Sequence, residues 1–137
     1  MDTTGTIRHI TDWLRGYCEG AGQRGFVIGV SGGIDSAVTS VLCARTGLPT
    51  LCVEMPIHQA TNQLQRAREH IGWLRERHPN VRADAVDLTP AFDTLVAALP
   101  VVGDEHLTNL SLANTRARLR MTALYHLAGL HHLLVAG

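Results

Sequence analysis

The sequence predicts an α/β protein with a mostly parallel sheet and helices on both faces. Three observations predict it. Short strand-like runs alternate with helical stretches in the order α-β-α-β-α-β-α-α-β. The first two runs are continuously apolar, as in strands buried on both sides. A glycine-rich bend, "SGGIDS" at 31–36, ends the first run and reopens at once on helix-compatible residues. Open α/β sheets bind their ligands at that position.

Ile7, Ile10, Leu14, Tyr17 and Cys18 recur at helical spacing, and Gly20-Ala21-Gly22 stops the pattern. Residues 25–30 form the first strand. Val38, Val41 and Leu42 mark one face of the next helix, which ends near Gly47-Leu48-Pro49. "TLCVEMP" is the second strand, closed by Pro56. Leu64, Ala67, Ile71 and Leu74 define a long amphipathic helix from Gln59 to His78, broken by Pro79-Asn80. "VRADAVD" alternates as a third strand. Pro90 suits a first helical turn, so residues 90–98 are helical. A loop around Val101–Glu105 precedes a helix over 108–129. "HHLLVAG" is the fourth strand, begun by His131-His132. A strand as last element, with no helix to cover it, leads us to expect a sequence cut short after the fourth strand.

With 137 residues the chain reads as one domain, 1–137, large enough to bury a core. No apolar run approaches a membrane span, and "MDTTGTIRHI" lacks the layout of a signal peptide. A cytoplasmic location follows by default. The formal net charge is zero, which gives no reason to expect nucleic acid as a partner. All 12 basic residues are arginine. Without lysine a Walker A loop is excluded. Cys18, Cys43 and Cys52 sit in apolar patterns with no C-x-x-C pair, and read as small buried hydrophobes kept reduced.

The bend has three readings. As a plain turn, Gly32-Gly33 supplies unusual backbone angles, and Asp35 or Ser36 caps the following helix. As a nucleophile elbow, Gly29-Val30-Ser31-Gly32-Gly33 fits G-x-S-x-G. Only one helix precedes this strand, however, and no oxyanion segment lies upstream of Ser31. As a pyrophosphate loop, residues 31–33 turn successive backbone N–H groups inward at a helix N-terminus, and Ser31 and Ser36 add hydroxyls. Asp35 is informative for that reading. A carboxylate about 4 Å from a phosphate oxygen is repelled by about 4 kcal/mol at an effective dielectric of about 20. A bridging divalent cation removes the conflict, so Asp35 points to Mg²⁺.

"SGGIDS" resembles the SGGxDS loop of the N-type ATP pyrophosphatases, a group that includes GMP, asparagine and argininosuccinate synthetases and tRNA-modifying enzymes. "NTRARLRM" at 114–121 resembles the N-x-x-A-R-x-R-M helix of the NAD synthetase family, and "TALYHLAG" with "LLVAG" continues that match. "VEMP" at 53–56 resembles the family's second strand, which ends beside the adenine of ATP. The likeness covers the chain from end to end.

It implies an adenine nucleotide alpha hydrolase-like, Rossmann-like fold and a ligase that amidates deamido-NAD with ammonia. In such enzymes ATP adenylates the nicotinate carboxylate, pyrophosphate leaves, and ammonia displaces AMP. The implied ATP-binding residues are Gly29, Val30, Ser31, Gly32, Gly33, Ile34, Asp35 and Ser36, with Asp35 on Mg²⁺. Arg120, immediately before the methionine, is the implied contact to deamido-NAD, with Arg118 as a second candidate. On an arbitrary helix such arginines belong to a solvated face. The resemblance also implies a homodimer and free ammonia as nitrogen source. Two departures stand out. Glu54 occupies a position where some family members carry an ATP-holding arginine, and the family continues past Gly137 with further metal and substrate ligands. Other readings are a different N-type ATP pyrophosphatase, a non-catalytic ATP-binding fragment, and a serine hydrolase.

Overall fold

The computed structural model describes residues 2–137. The elements are α1 (Thr3–Gly20), β1 (Gly25–Gly29), α2 (Ile34–Ala44), β2 (Thr50–Glu54), α3 (Thr61–Arg77), β3 (Val81–Ala85), α4 (Thr89–Ala98), α5 (Glu105–His131) and β4 (Leu133–Val135). All strand pairs are parallel, in the order β3-β2-β1-β4.

Alternation along the two central strands builds two core layers. Val27, Leu51 and Val53 face Leu124 and Ala128 of α5 and Phe92 of α4. Phe26 and Ile28 face Cys18 of α1 and Cys43 of α2, and Cys52 joins Ala67, Ile71 and Leu74 of α3. Helices α1–α3 therefore cover one face and α4–α5 the other. The chain leaves β1 outward to β2 and β3, then returns to place β4 on the opposite side of β1. The reversal between β1 and β4 opens a crevice at the C-terminal end of β1, where a ligand can enter between diverging loops.

Several elements differ from the sequence expectation. On α2 the buried residues are Ser40, Cys43 and Ala44, while Val38 is exposed. Small side chains let this helix lie close against the sheet, so the contact face is not the most apolar one. Tyr17 is exposed as well and stacks on Trp13 at 5.2 Å between ring centroids. Only Val81 of β3 is buried, as befits an edge strand. His131 and His132 do not begin β4. The last helix runs through His131, and His132 caps it with left-handed backbone (φ 56°), its N–H bonded to the Ala128 carbonyl. The helix also starts earlier, at Glu105, because the Asp104 side chain accepts from the Leu107 N–H.

All three cysteines are buried and free. Burial pushes the Cys43 thiol up to about 12 and the Cys52 thiol up to about 11. They behave as packing residues, as their apolar settings predict. Among the described residues no helix is long and apolar enough to cross a membrane.

Candidate functional site

Strand β1 ends against β2, where the Val30 N–H donates to the Val53 carbonyl. The chain then turns through Ser31-Gly32-Gly33. Gly32 has φ +90°, and a Cβ there would lie 2.7 Å from the Gln63 carbonyl oxygen of α3. Both the backbone angle and the close approach require glycine. Gly33 is the N-cap of α2, without a side-chain cap. The first N–H groups of α2 thus keep no helical acceptor and open towards solvent. Neither Asp35 nor Ser36 is the cap, contrary to the plain-turn reading.

The two serine hydroxyls instead bind the loop to itself. Ser36 Oγ accepts from the Ser31 N–H at 3.2 Å and lies 3.2 Å from Ser31 Oγ. Ser31 Oγ also accepts from the Gly33 N–H at 3.3 Å. These exposed bonds are long, and an anion can replace them with shorter ones. Asp35, in the first turn of α2, faces the same space. No hydrogen bond or ion pair holds its carboxylate among the described residues.

The loop forms one wall of a cavity of about 380 Å³ at the C-terminal end of the sheet. Ser31, Asp35 and Ser36 line one part; Glu54, Met55, Leu64 and Ala67 line another. Arg120 and Met121 enter from α5. The Arg120 guanidinium is fixed by two distant partners: Nε donates to the Met55 carbonyl at 2.9 Å, and Nη2 donates to Gln59 Oε1 at 3.1 Å. Partial burial, with the charge of Arg116 added, lowers its pKa from the usual arginine range.

Of the residues singled out in the sequence, the fold thus brings Gly29, Val30, Ser31, Asp35, Ser36 and Arg120 to one cavity, while Gly32, Gly33 and Ile34 complete the loop without lining it. Arg118 stays outside it. Its Nη1 donates weakly to the Asn114 carbonyl one turn back, at 3.4 Å. Arg116 lies over the Phe92 ring at 5.7 Å.

Sequence reasoning missed the partners. Arg68 of α3 donates through Nε to Glu54 Oε1 at 3.1 Å. Gln59 steadies Arg120 and in turn donates to Gln63. His58 adopts left-handed backbone (φ 50°), bonds Thr89 through its N–H, and approaches Asp93 Oδ1 at 2.6 Å through Nε2. The only local hint was polar residues close after Pro56 at a strand end, where binding loops concentrate.

An open, doubly wound sheet with a glycine loop at its switch point belongs to the nucleotide-binding class of α/β architectures. Comparison with known proteins narrows the class. A model of the family described as NAD synthase matches residues 6–137. The NH₃-dependent NAD⁺ synthetase of Hyperthermus butylicus is 37% identical over all of this chain and 48% of its own length. That of Carboxydothermus hydrogenoformans is 33% identical over 93% of this chain and 51% of its own. Among solved structures, NMN synthetase from Francisella tularensis superposes with TM-score 0.87 at 31% identity, over 98% of this chain and 53% of that one. NH₃-dependent NAD synthetase from Campylobacter jejuni gives TM-score 0.84 at 26% identity, over 98% and 56%. The chain belongs to the NAD synthase family. It spans about half the length of the relatives it matches.

Proposed function

We propose that this chain carries the ATP-binding half of a site that amidates deamido-NAD to NAD with ammonia. The observation that carries the reading is the shared cavity. An uncapped helix N-terminus, an unpaired Asp35 carboxylate and the Arg120 guanidinium all open into it. The first attracts phosphate, the second suits a phosphate-bound cation, and the third suits an anionic substrate.

In this reading residues Gly29 to Ser36 cradle the phosphates of ATP. A lone carboxylate is enough for Mg²⁺ that arrives with the nucleotide, since that ion takes most of its ligands from phosphate and water. Held at Asp35, magnesium would neutralise phosphate charge. The chain's own groups do the positioning: N–H donors at 31–36 hold the β and γ phosphates as the nicotinate carboxylate attacks the α-phosphorus. Pyrophosphate leaves with the electron pair of the broken P–O bond, and ammonia then displaces AMP from the acyl-adenylate. Arg120 orients the dinucleotide, while Arg118, outside the cavity, is the weaker candidate. Exposed Met121 and Tyr125, one turn apart on α5, support the homodimer as part of the same reading. The alternative of a serine nucleophile loses support, because no histidine hydrogen-bonds Ser31 among the described residues and its partners are Ser36 and Gly33.

The test is calorimetric titration of ATP with and without Mg²⁺, followed by pyrophosphate release with deamido-NAD and ammonium. Tighter binding with Mg²⁺ supports the nucleotide half of the reading, and equal binding removes the metal from it. Binding without release makes the chain a nucleotide-binding module. Release with another acceptor makes it a different N-type ATP pyrophosphatase. A second reading takes the mononucleotide as acceptor, favoured by the likeness to the Francisella NMN synthetase. Parallel assays with the two acceptors separate these.

A further inference from the structure

We propose that Glu54 reads the ribose of the bound nucleotide, accepting hydrogen bonds from its hydroxyls and fixing the direction in which the nucleotide lies. The inference rests on the ATP reading above and adds a residue that departs from the arginine found there in some relatives.

Glu54 is 8% exposed, yet it lines the cavity. Alternation along β2 puts it on the same face as Cys52, beneath α3, where Arg68 reaches it. Arg68 satisfies only part of this carboxylate. Its Nε is 3.1 Å from Oε1 but 3.5 Å from Oε2. An ionised carboxylate accepts about four hydrogen bonds and donates none. Glu54 therefore keeps acceptor capacity beyond its bonds to Arg68, at the wall of the cavity. The Arg68 side chain is 65% exposed and does not line the cavity, so the carboxylate, not the guanidinium, meets a ligand.

A nucleoside triphosphate offers donors only at its sugar and base. Its phosphates carry acceptors and negative charge, which Glu54 repels. The phosphates consequently belong at the Ser31–Ser36 end, and the nucleoside at the Glu54 end. Position then separates sugar from base. The Val53 carbonyl accepts from the Val30 N–H, so Glu54 stands about one strand spacing, about 4.8 Å, from the residue preceding the phosphate loop. The ribose is the unit joined directly to the phosphates. The base lies one unit further, against the apolar surfaces of Met55, Leu64 and Ala67. A carboxylate at the end of the second strand, beside a glycine loop after the first, is also where dinucleotide-binding folds hold a ribose hydroxyl.

The experiment measures binding of ATP, 2′-deoxy-ATP and 3′-deoxy-ATP with Mg²⁺ to the parent chain, Glu54→Gln and Arg68→Gln. Circular dichroism confirms that each is folded. The parent should bind ATP about tenfold more tightly than at least one deoxy analogue, the size of a hydrogen bond to a charged group. Glu54→Gln should shrink that ratio to about twofold, and Arg68→Gln should leave most of it. Equal binding of all three nucleotides by the parent overturns the proposal, and needs no variant to fold. A ratio unchanged in Glu54→Gln overturns it too. A folded parent chain that binds no nucleotide overturns the ATP reading itself, which is a distinct result.

Discussion

The loop after β1 and the loop after β2 stand side by side at one end of the sheet, held in opposite ways. The first is shaped by backbone: Gly32 at positive φ, an uncapped helix start, and hydroxyl bonds no more than five residues apart. The second is held by side chains that reach it from elsewhere. Arg120 arrives from 65 residues away to bond the Met55 carbonyl, Asp93 and Thr89 fix His58, and Arg68 pins Glu54. A backbone loop can present several N–H groups to an anion without moving any side chain. A loop braced by side chains can tell one ligand from another, because each brace is a separate chemical choice.

That contrast can be broken most severely at Gly32. Gly32→Ala adds a Cβ against the Gln63 carbonyl at a backbone angle hostile to alanine. We expect a loss of about 2–4 kcal/mol in urea unfolding. A loss below about 0.5 kcal/mol would show that the first loop is not backbone-determined.

The second loop gives next. Arg120→Ala strips the Met55 carbonyl and Gln59 of a charged donor and should cost about 1–3 kcal/mol. It should weaken deamido-NAD binding more than ATP binding, and equal effects on both would blur the division between the loops.

Asp35→Asn sharpens it from the other side. Because Asp35 is exposed and unpaired, unfolding free energy should stay within about 0.5 kcal/mol of the parent. Mg²⁺-dependent ATP affinity should fall about tenfold, read by titration at fixed and varied Mg²⁺.

The smallest effect concerns the frame that carries both loops. His70 of α3 meets the buried Ser40 of α2 at 2.8 Å through Nε2. Burial lowers its pKa below the ordinary 6.5. The unfolded chain therefore takes up a proton that the folded one resists. The contribution of neutral His70 is fully present above about pH 6.5 and is lost as pH falls below it. His70→Gln should flatten the dependence of stability on pH between about 7 and 5, measured by unfolding at stepped pH.

The same two loops show how far the sequence could be read. "SGGIDS" was legible because backbone geometry and helix starts are written in neighbouring residues. Gly32, Asp35 and the strand–loop–helix order carry their meaning locally. The second loop was opaque. Nothing near Glu54 announces Arg68, and nothing near Met55 announces Arg120 as its partner. Of three arginines on one helix, only the register of α5 against β2 decides that Arg120 enters the cavity while Arg118 stays outside. The small contact face of α2 and the helical end at His131 were misjudged for a related reason. Apolarity ranks residues by composition, whereas burial ranks them by distance from the sheet.

By itself the sequence determined the order of elements, the parallel sheet and the presence of a glycine loop between β1 and α2. Those features depend on periodicity and on backbone freedom, which act over a few residues. Only the tertiary structure decided which charged groups share the cavity, and in what pairs. A side-chain hydrogen bond forms within about 3 Å, so its partners are set by how the helices lie on the sheet and not by their separation along the chain. Glu54 and Arg120 acquire their partners there.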